Sequence, residues 1–170
     1  MRLYSGKISP IADEIVKALT STGDIEVTSQ DEVRMDIEAV LKEFLRLDRE
    51  IVDEAKSRME ARGLGYGQLT KTKAQVSKER GAPPPDEQLP YILDQVLNML
   101  FHSSNVEEIF AEDADLRKKL TTILKKHMEV EDELDKEVRA RIKNLEEGTA
   151  SFEIEYAKVM EQMKKKKGLS

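Results

Sequence analysis

A chain of 170 residues has room for one ordinary domain or two very small ones. It contains no Cys, which excludes disulfides, thiolate catalysis and Cys-based zinc sites. A formal net charge of -6 speaks against the broad basic surface of a general nucleic-acid binder. Charged residues make up 36% and aromatics 5%, a balance suited to long amphipathic helices that need only one apolar stripe.

The opening residues, Met1 to Lys7, lack the apolar stretch of a secretory signal. No run approaches the ~18 apolar residues of a membrane span. The expected compartment is therefore the cytoplasm, without membrane contact. Ser9-Pro10 is read as an N-cap followed by Pro at the first helical position, with Ile11, Ile15 and Leu19 on one face and a stop near Gly23. The alternative is a helix from Ser5 onward with Pro10 inside it. Residues 24–27 form an extended or irregular connector. Ser29 and Glu32 make a capping-box pattern ahead of a long helix carrying Val33, Ile37, Val40, Leu41, Phe44, Leu47, Ile51, Ala55 and Met59. Gly63 ends that helix.

A polyproline-like linker over 82–86 follows, and then the pattern returns. Pro90 fits in the first turn of a helix capped by Asp86, with Ile92, Leu93, Val96, Leu97 and Leu100 on its apolar side. A second long helix carries Leu116, Leu120, Ile123, Leu124, Val130, Leu134, Val138, Ile142 and Leu145, and a final one starts near Phe152. At a spacing of 81, Ile11, Ile15 and Leu19 lie over Ile92, Val96 and Leu100. At 83, Leu41 lies over Leu124, Ile37 over Leu120, and Glu50, Glu54 and Arg58 over Glu133, Glu137 and Arg141. Residues 75–81 echo 162–168, so Arg80 corresponds to Lys167 and Gly81 to Gly168. The expected architecture is an all-α helical bundle of two tandem pseudo-repeats, each a short helix, a long amphipathic helix and a tail. Residues 1–81 are the first unit and 87–170 the second.

Lengths constrain the packing. The stripe from Val33 to Met59 runs about 39 Å, whereas the short helix covers about 15 Å. The remainder must meet the tail, the other unit or another protein. The long helices are expected to pack on each other about a pseudo-two-fold.

The chain also resembles the bacterial family known as domain of unknown function 507. The resemblance rests on MRLYSGK at 1–7, GDIEV at 23–27, HSSNVEEIFAED at 102–113, RIKNLEEGTASFEIEYAKVM at 141–160 and KKKKGLS at 164–170. It spans essentially the whole chain and implies a small helical protein, with no catalytic or binding residues to carry over.

Candidate sites are few. His127 and Glu131 stand one turn apart, as helical metal ligands would. A bundle di-metal site, however, uses Glu-x-x-His motifs, and Leu124 and Met99 occupy the Glu positions here. His102-Ser103-Ser104 places a base and a hydroxyl side by side, but without an orienting third group it reads as a helix end. Gly63-Leu64-Gly65-Tyr66-Gly67 lacks the preceding strand and Lys-Ser/Thr ending of a phosphate loop and reads as a chain reversal. The acidic stretch Glu107, Glu108, Glu112, Asp113 and Asp115 lacks the ligand alternation of a calcium loop and reads as a solvated connector. Glu129, Glu131, Asp132, Glu133 and Asp135 read as the wet face of a helix. No catalytic, cofactor or metal residues are assigned.

Lys164, Lys165, Lys166 and Lys167 are the candidate partner surface, able to contact phosphates together with Lys71, Lys73, Lys78 and Arg80 if these lie nearby. The expected function is a non-enzymatic helical interaction or adaptor protein with a protein partner. The alternative is an RNA- or ribosome-associated factor using the lysine-rich end, and the remote alternative is an enzyme.

Overall fold

The computed structural model describes residues 2–169, and for residues 131 and 132 the backbone alone. The chain is an all-α helical bundle with one small antiparallel sheet. Its elements are α1 (Ile8–Ser21), β1 (Ile25–Val27), α2 (Gln30–Ala61), α3 (Leu69–Glu79), α4 (Gln88–His102), β2 (Val106–Ile109), α5 (Asp113–Met128), α6 (Val130–Arg141) and α7 (Ala150–Lys166). Helix, strand, long helix and tail helix follow one another on both sides of residues 82–86. In the second series the long helix is interrupted at Glu129, which both ends α5 and begins α6.

Four helices form a ring: α1 packs on α2 and α5, and α4 packs on the same two. Each contributes three fully buried aliphatic side chains at i, i+4 and i+8, so that one side of every helix points inward. These are Ile11, Ile15 and Leu19; Val33, Ile37 and Leu41; Ile92, Val96 and Leu100; and Leu116, Leu120 and Leu124. Burying each of the larger ones is worth about 1.5–3 kcal/mol. The long helices α2 and α5 therefore pack chiefly on the short ones. The expected direct packing of long helix on long helix is replaced, because α1 and α4 fill the space between them.

The helix starts differ from the sequence reading. α1 begins at Ile8 after a 3-10 turn over Ser5–Lys7, which is the alternative with Pro10 inside the helix. Pro10 costs no hydrogen bond there, because the first-turn N–H groups of a helix have no intrahelical acceptor. α4 repeats the arrangement, with a 3-10 turn at Pro85–Glu87 and Pro90 in the first turn; Glu87, without a side-chain cap, takes the place expected for Asp86. Ser29 caps α2 as expected, its Oγ accepting from the Glu32 N–H at 3.4 Å. Thr149 caps α7 in the same way, accepting from the Phe152 N–H at 3.2 Å.

Beyond the ring, two helical arms extend. In one, α3 folds back on the C-terminal half of α2 over Ile51, Ala55 and Val76. In the other, α7 folds back on α6, joining Leu134 and Val138 to Phe152, Met160 and Met163. The arms touch at their far ends, where a Cβ on Gly148 would come within 4.0 Å of the Gly67 Cα. Along the stripe of α2 most side chains are buried, with Val40 and Leu47 half-buried. The tail helix and the other half of the chain thus cover most of it.

Both arms end alike. At Gly81 and Gly168, each with φ +68°, the chain takes the left-handed turn that a Cβ disfavours. The next N–H then donates back over the last turn, Ala82 to the Ser77 carbonyl at 2.9 Å and Leu169 to the Lys164 carbonyl at 2.8 Å. Arg80 holds Glu54 at 2.6 Å and Glu50 at 3.0 Å, while at the corresponding position Lys167 holds Glu137 at 3.1 Å. Exposed pairs of this kind are screened by solvent and contribute little, so they align the arms more than they stabilise them.

Candidate interaction surface

The C-terminal lysines stand at the end of α7, where the chain's two ends meet. α7 is fixed from its start by the face Phe152, Tyr156, Met160 and Met163. The Tyr156 hydroxyl donates to Asp135 at 2.5 Å, and the Arg139 guanidinium lies 5.8 Å from the Tyr156 ring centre. Burial and the hydrogen bond to Asp135 push the Tyr156 phenol well above its ordinary range, so it stays a donor. Residues 2–6 then run between the ring and this arm. The Arg2 N–H donates to the Met128 carbonyl at 3.1 Å, Leu3 enters the main core, and Tyr4 enters the α6–α7 core. The Gly6 N–H donates to the Leu169 carbonyl at 2.5 Å, and the Ser5 hydroxyl reaches the same oxygen at 3.4 Å.

This junction divides the four lysines. The Lys164 ammonium lies 5.0 Å from the Tyr4 ring centre, with the Arg2 guanidinium 5.7 Å from the same ring, as cations favour aromatic faces. Lys167 holds Glu137, and Lys165 and Lys166 are exposed. Of the cations on α3, Arg80 is engaged by Glu50 and Glu54, Lys71 and Lys78 are exposed, and Lys73 is half-buried beside a recess that Arg2 also lines.

Sequence reasoning missed the residues that face Lys164. Arg2, Tyr4 and Arg49 line a cleft of about 310 Å³ with it, between the N-terminal segment, the middle of α2 and the end of α7. No local pattern signals this, because the contact joins residue 4 to residue 164. Its lining sets these cations beside Asp48 and Glu161 and the apolar Leu3, Leu45, Val52 and Leu169.

The remaining candidates are placed apart. His127 points across to α1, its Nε2 2.5 Å from a Glu14 carboxylate oxygen, while Lys126 bonds the other oxygen at 2.5 Å. The Glu131 side chain of the expected pair lies outside the described residues. Among the described residues no group of three His, Asp or Glu side chains is placed to hold a metal ion. Burial pushes the Glu14 carboxyl up, but the bonds from Lys126 and His127 outweigh it and hold it below its ordinary 4.5. A depressed carboxylate contributes stability above its unfolded pKa and loses it as pH falls through the folded one. The Glu14→Gln variant is therefore expected to be less stable than the parent at pH 7, with the difference closing below about pH 4. Urea midpoints measured at pH 7 and pH 3 check this; an equal deficit at both would remove the charge from the explanation.

His102 donates to its own helix, its Nδ1 lying 2.8 Å from the Asn98 carbonyl oxygen. The Ser103 hydroxyl donates to Asp36 at 2.8 Å, joined there by the Asn105 amide at 2.9 Å, which ties the end of α4 to α2. The glycines at 63–67 end α2 and reverse the chain, leaving Leu64 and Tyr66 exposed. The acidic stretch, read as a connector, is in part strand. Glu108 pairs with Glu26 across the sheet, and Glu107 is the extra residue of a bulge. No helix of the described residues is long and apolar enough to cross a membrane.

Residues 1–169 match the family described as protein of unknown function (DUF507), and the chain belongs to that family. No curated protein matches it.

Proposed function

We propose that this protein is a non-enzymatic helical adaptor that holds protein partners at the two ends of its long axis. The reading is carried by where the large apolar side chains remain exposed. Leu64, Tyr66 and Ile154 lie at the end where the arms touch. Met35, Phe101 and Phe110 lie at the opposite end, on the second turn of α2, the last turn of α4 and just after β2. The 32 residues of α2 hold these ends roughly 48 Å apart. Exposed aromatics concentrated at the ends of a rigid rod are the composition of contact surfaces, whereas the stripe that first suggested a partner is covered within the chain.

The test is affinity capture of the tagged full-length protein from its host, with and without nuclease. The parent is compared with two variants, Leu64→Ser/Tyr66→Ser and Phe101→Ser/Phe110→Ser. Each is expected to lose a distinct nuclease-resistant protein, since truncating an apolar anchor costs about tenfold or more in affinity. Identical recovery by all three would refute the reading. Recovery that disappears with nuclease and with Lys165→Gln/Lys166→Gln would favour RNA association instead.

A further inference from the structure

We propose that the cleft where the two chain ends meet α2 binds a phosphate monoester on a hydroxylated carrier, of the size of a sugar phosphate or mononucleotide. The inference is separate from the adaptor reading and uses none of the exposed apolar ends. It begins with which arginines are occupied. Arg34, Arg46, Arg58, Arg80, Arg117 and Arg139 each hold a carboxylate. Among the described residues Arg2, Arg49, Arg62 and Arg141 form no such pair, and of these Arg2 and Arg49 line this one cleft. On an acidic chain rich in carboxylates, two guanidiniums without a carboxylate partner at one place are a local reversal of charge.

Their positions suit an oxyanion. Arg2 is anchored by its backbone bond to Met128 and by the Tyr4 ring, and Arg49 projects from the rigid middle of α2. A guanidinium offers paired N–H donors in a plane that matches phosphate oxygens. Lys164 adds a third cation at the cleft. Two carboxylates, Asp48 and Glu161, line it as well. They would repel a bare anion, so the ligand must also bring hydrogen-bond donors for them, which hydroxyl groups supply. The cleft's volume of about 310 Å³ suits the phosphorylated part of such a molecule. A neighbouring recess of about 600 Å³ shares Arg2 and Asp48, adds Lys73, and gives the carrier room.

The experiment titrates the full-length protein with adenosine 5′-monophosphate, glucose 6-phosphate, inorganic phosphate, adenosine and glucose. Calorimetry and the NMR signals of the arginine Nε–H groups report binding. Saturable shifts at Arg2 and Arg49 are expected with the two monoesters and not with adenosine or glucose, and inorganic phosphate should bind more weakly. Arg49→Gln, an exposed position whose thermal transition should not move, is expected to weaken binding about tenfold. Asp48→Asn should narrow the margin between the monoesters and inorganic phosphate. A 5′-phosphorylated oligoribonucleotide that binds more tightly than its 5′-hydroxyl twin and than the mononucleotide would identify an RNA end as the source; the reverse order would identify a free metabolite. The proposal is overturned if no monoester saturates, if adenosine binds equally well, or if binding survives Arg49→Gln but is lost in Lys165→Gln/Lys166→Gln.

Discussion

Gly6→Ala is expected to separate the two chain ends at a cost of about 3 kcal/mol. A Cβ built at Gly6 would lie 2.4 Å from the Gly168 carbonyl oxygen and from the Leu169 carbonyl carbon, and 2.5 Å from the Leu169 Cα. All three are backbone atoms, so no rotamer change relieves the overlap and one segment must withdraw. Withdrawal breaks the bond from the Gly6 N–H to the Leu169 carbonyl and exposes Leu169, which is 3% exposed in the fold. It also loosens Tyr4 in the α6–α7 core. Exposing a buried side chain of this size costs about 1.5–3 kcal/mol, and Leu169 and Tyr4 move together. A double-mutant cycle gives the decisive reading. Deleting residues 169–170 should destabilise the parent by a similar amount, and Gly6→Ala should add little in the truncated background. Additive effects would mean that the glycine is needed for some other reason.

The same junction shows where the sequence stops being informative. The twelve aliphatic side chains of the ring were legible because they recur at helical spacing and at 81- or 83-residue offsets, so each position is marked twice. Ser29 and Gly63 were legible because a cap or a stop is set by a few adjacent residues. Tyr4 against Lys164 was not, because nothing local in MRLYSGK says that a tyrosine will sit in a core built from residues 134–169. β2 was hidden by its own chemistry: Glu107 and Glu108 interrupt Val106 and Ile109, and the bulge at Glu107 removes the two-residue alternation that would mark a strand. The interruption at Glu129 was hidden for the opposite reason. Apolar residues keep helical spacing through it, from Leu124 to Met128 and from Val130 to Leu134, while the core they serve changes from the ring to the arm. Periodicity reports that a face is buried; it does not report against what.

That division between ring and arm gives the second large expectation. Leu120 is fully buried at the middle of the α5 triplet, within the core that all four ring helices share. Leu120→Ala removes most of a side chain where the helices on either side are held by their own packing and cannot collapse into the space. A loss of about 2–5 kcal/mol is expected, a large fraction of the ~5–15 kcal/mol typical of a domain. Because the core belongs to the whole ring, amide exchange should accelerate together in α1, α2, α4 and α5. Leu134 is equally buried, but among the described residues its core is built from α6, α7, the loop between them, Tyr4 and the C-terminal end. Leu134→Ala should therefore accelerate exchange in α6, α7 and residues 3–6 while the ring keeps its protection. The comparison separates a global core from a local one in a single chain. If both variants accelerate the same amides to the same extent, ring and arm unfold as one unit, and the α6–α7 arm draws its stability from the ring rather than from its own contacts.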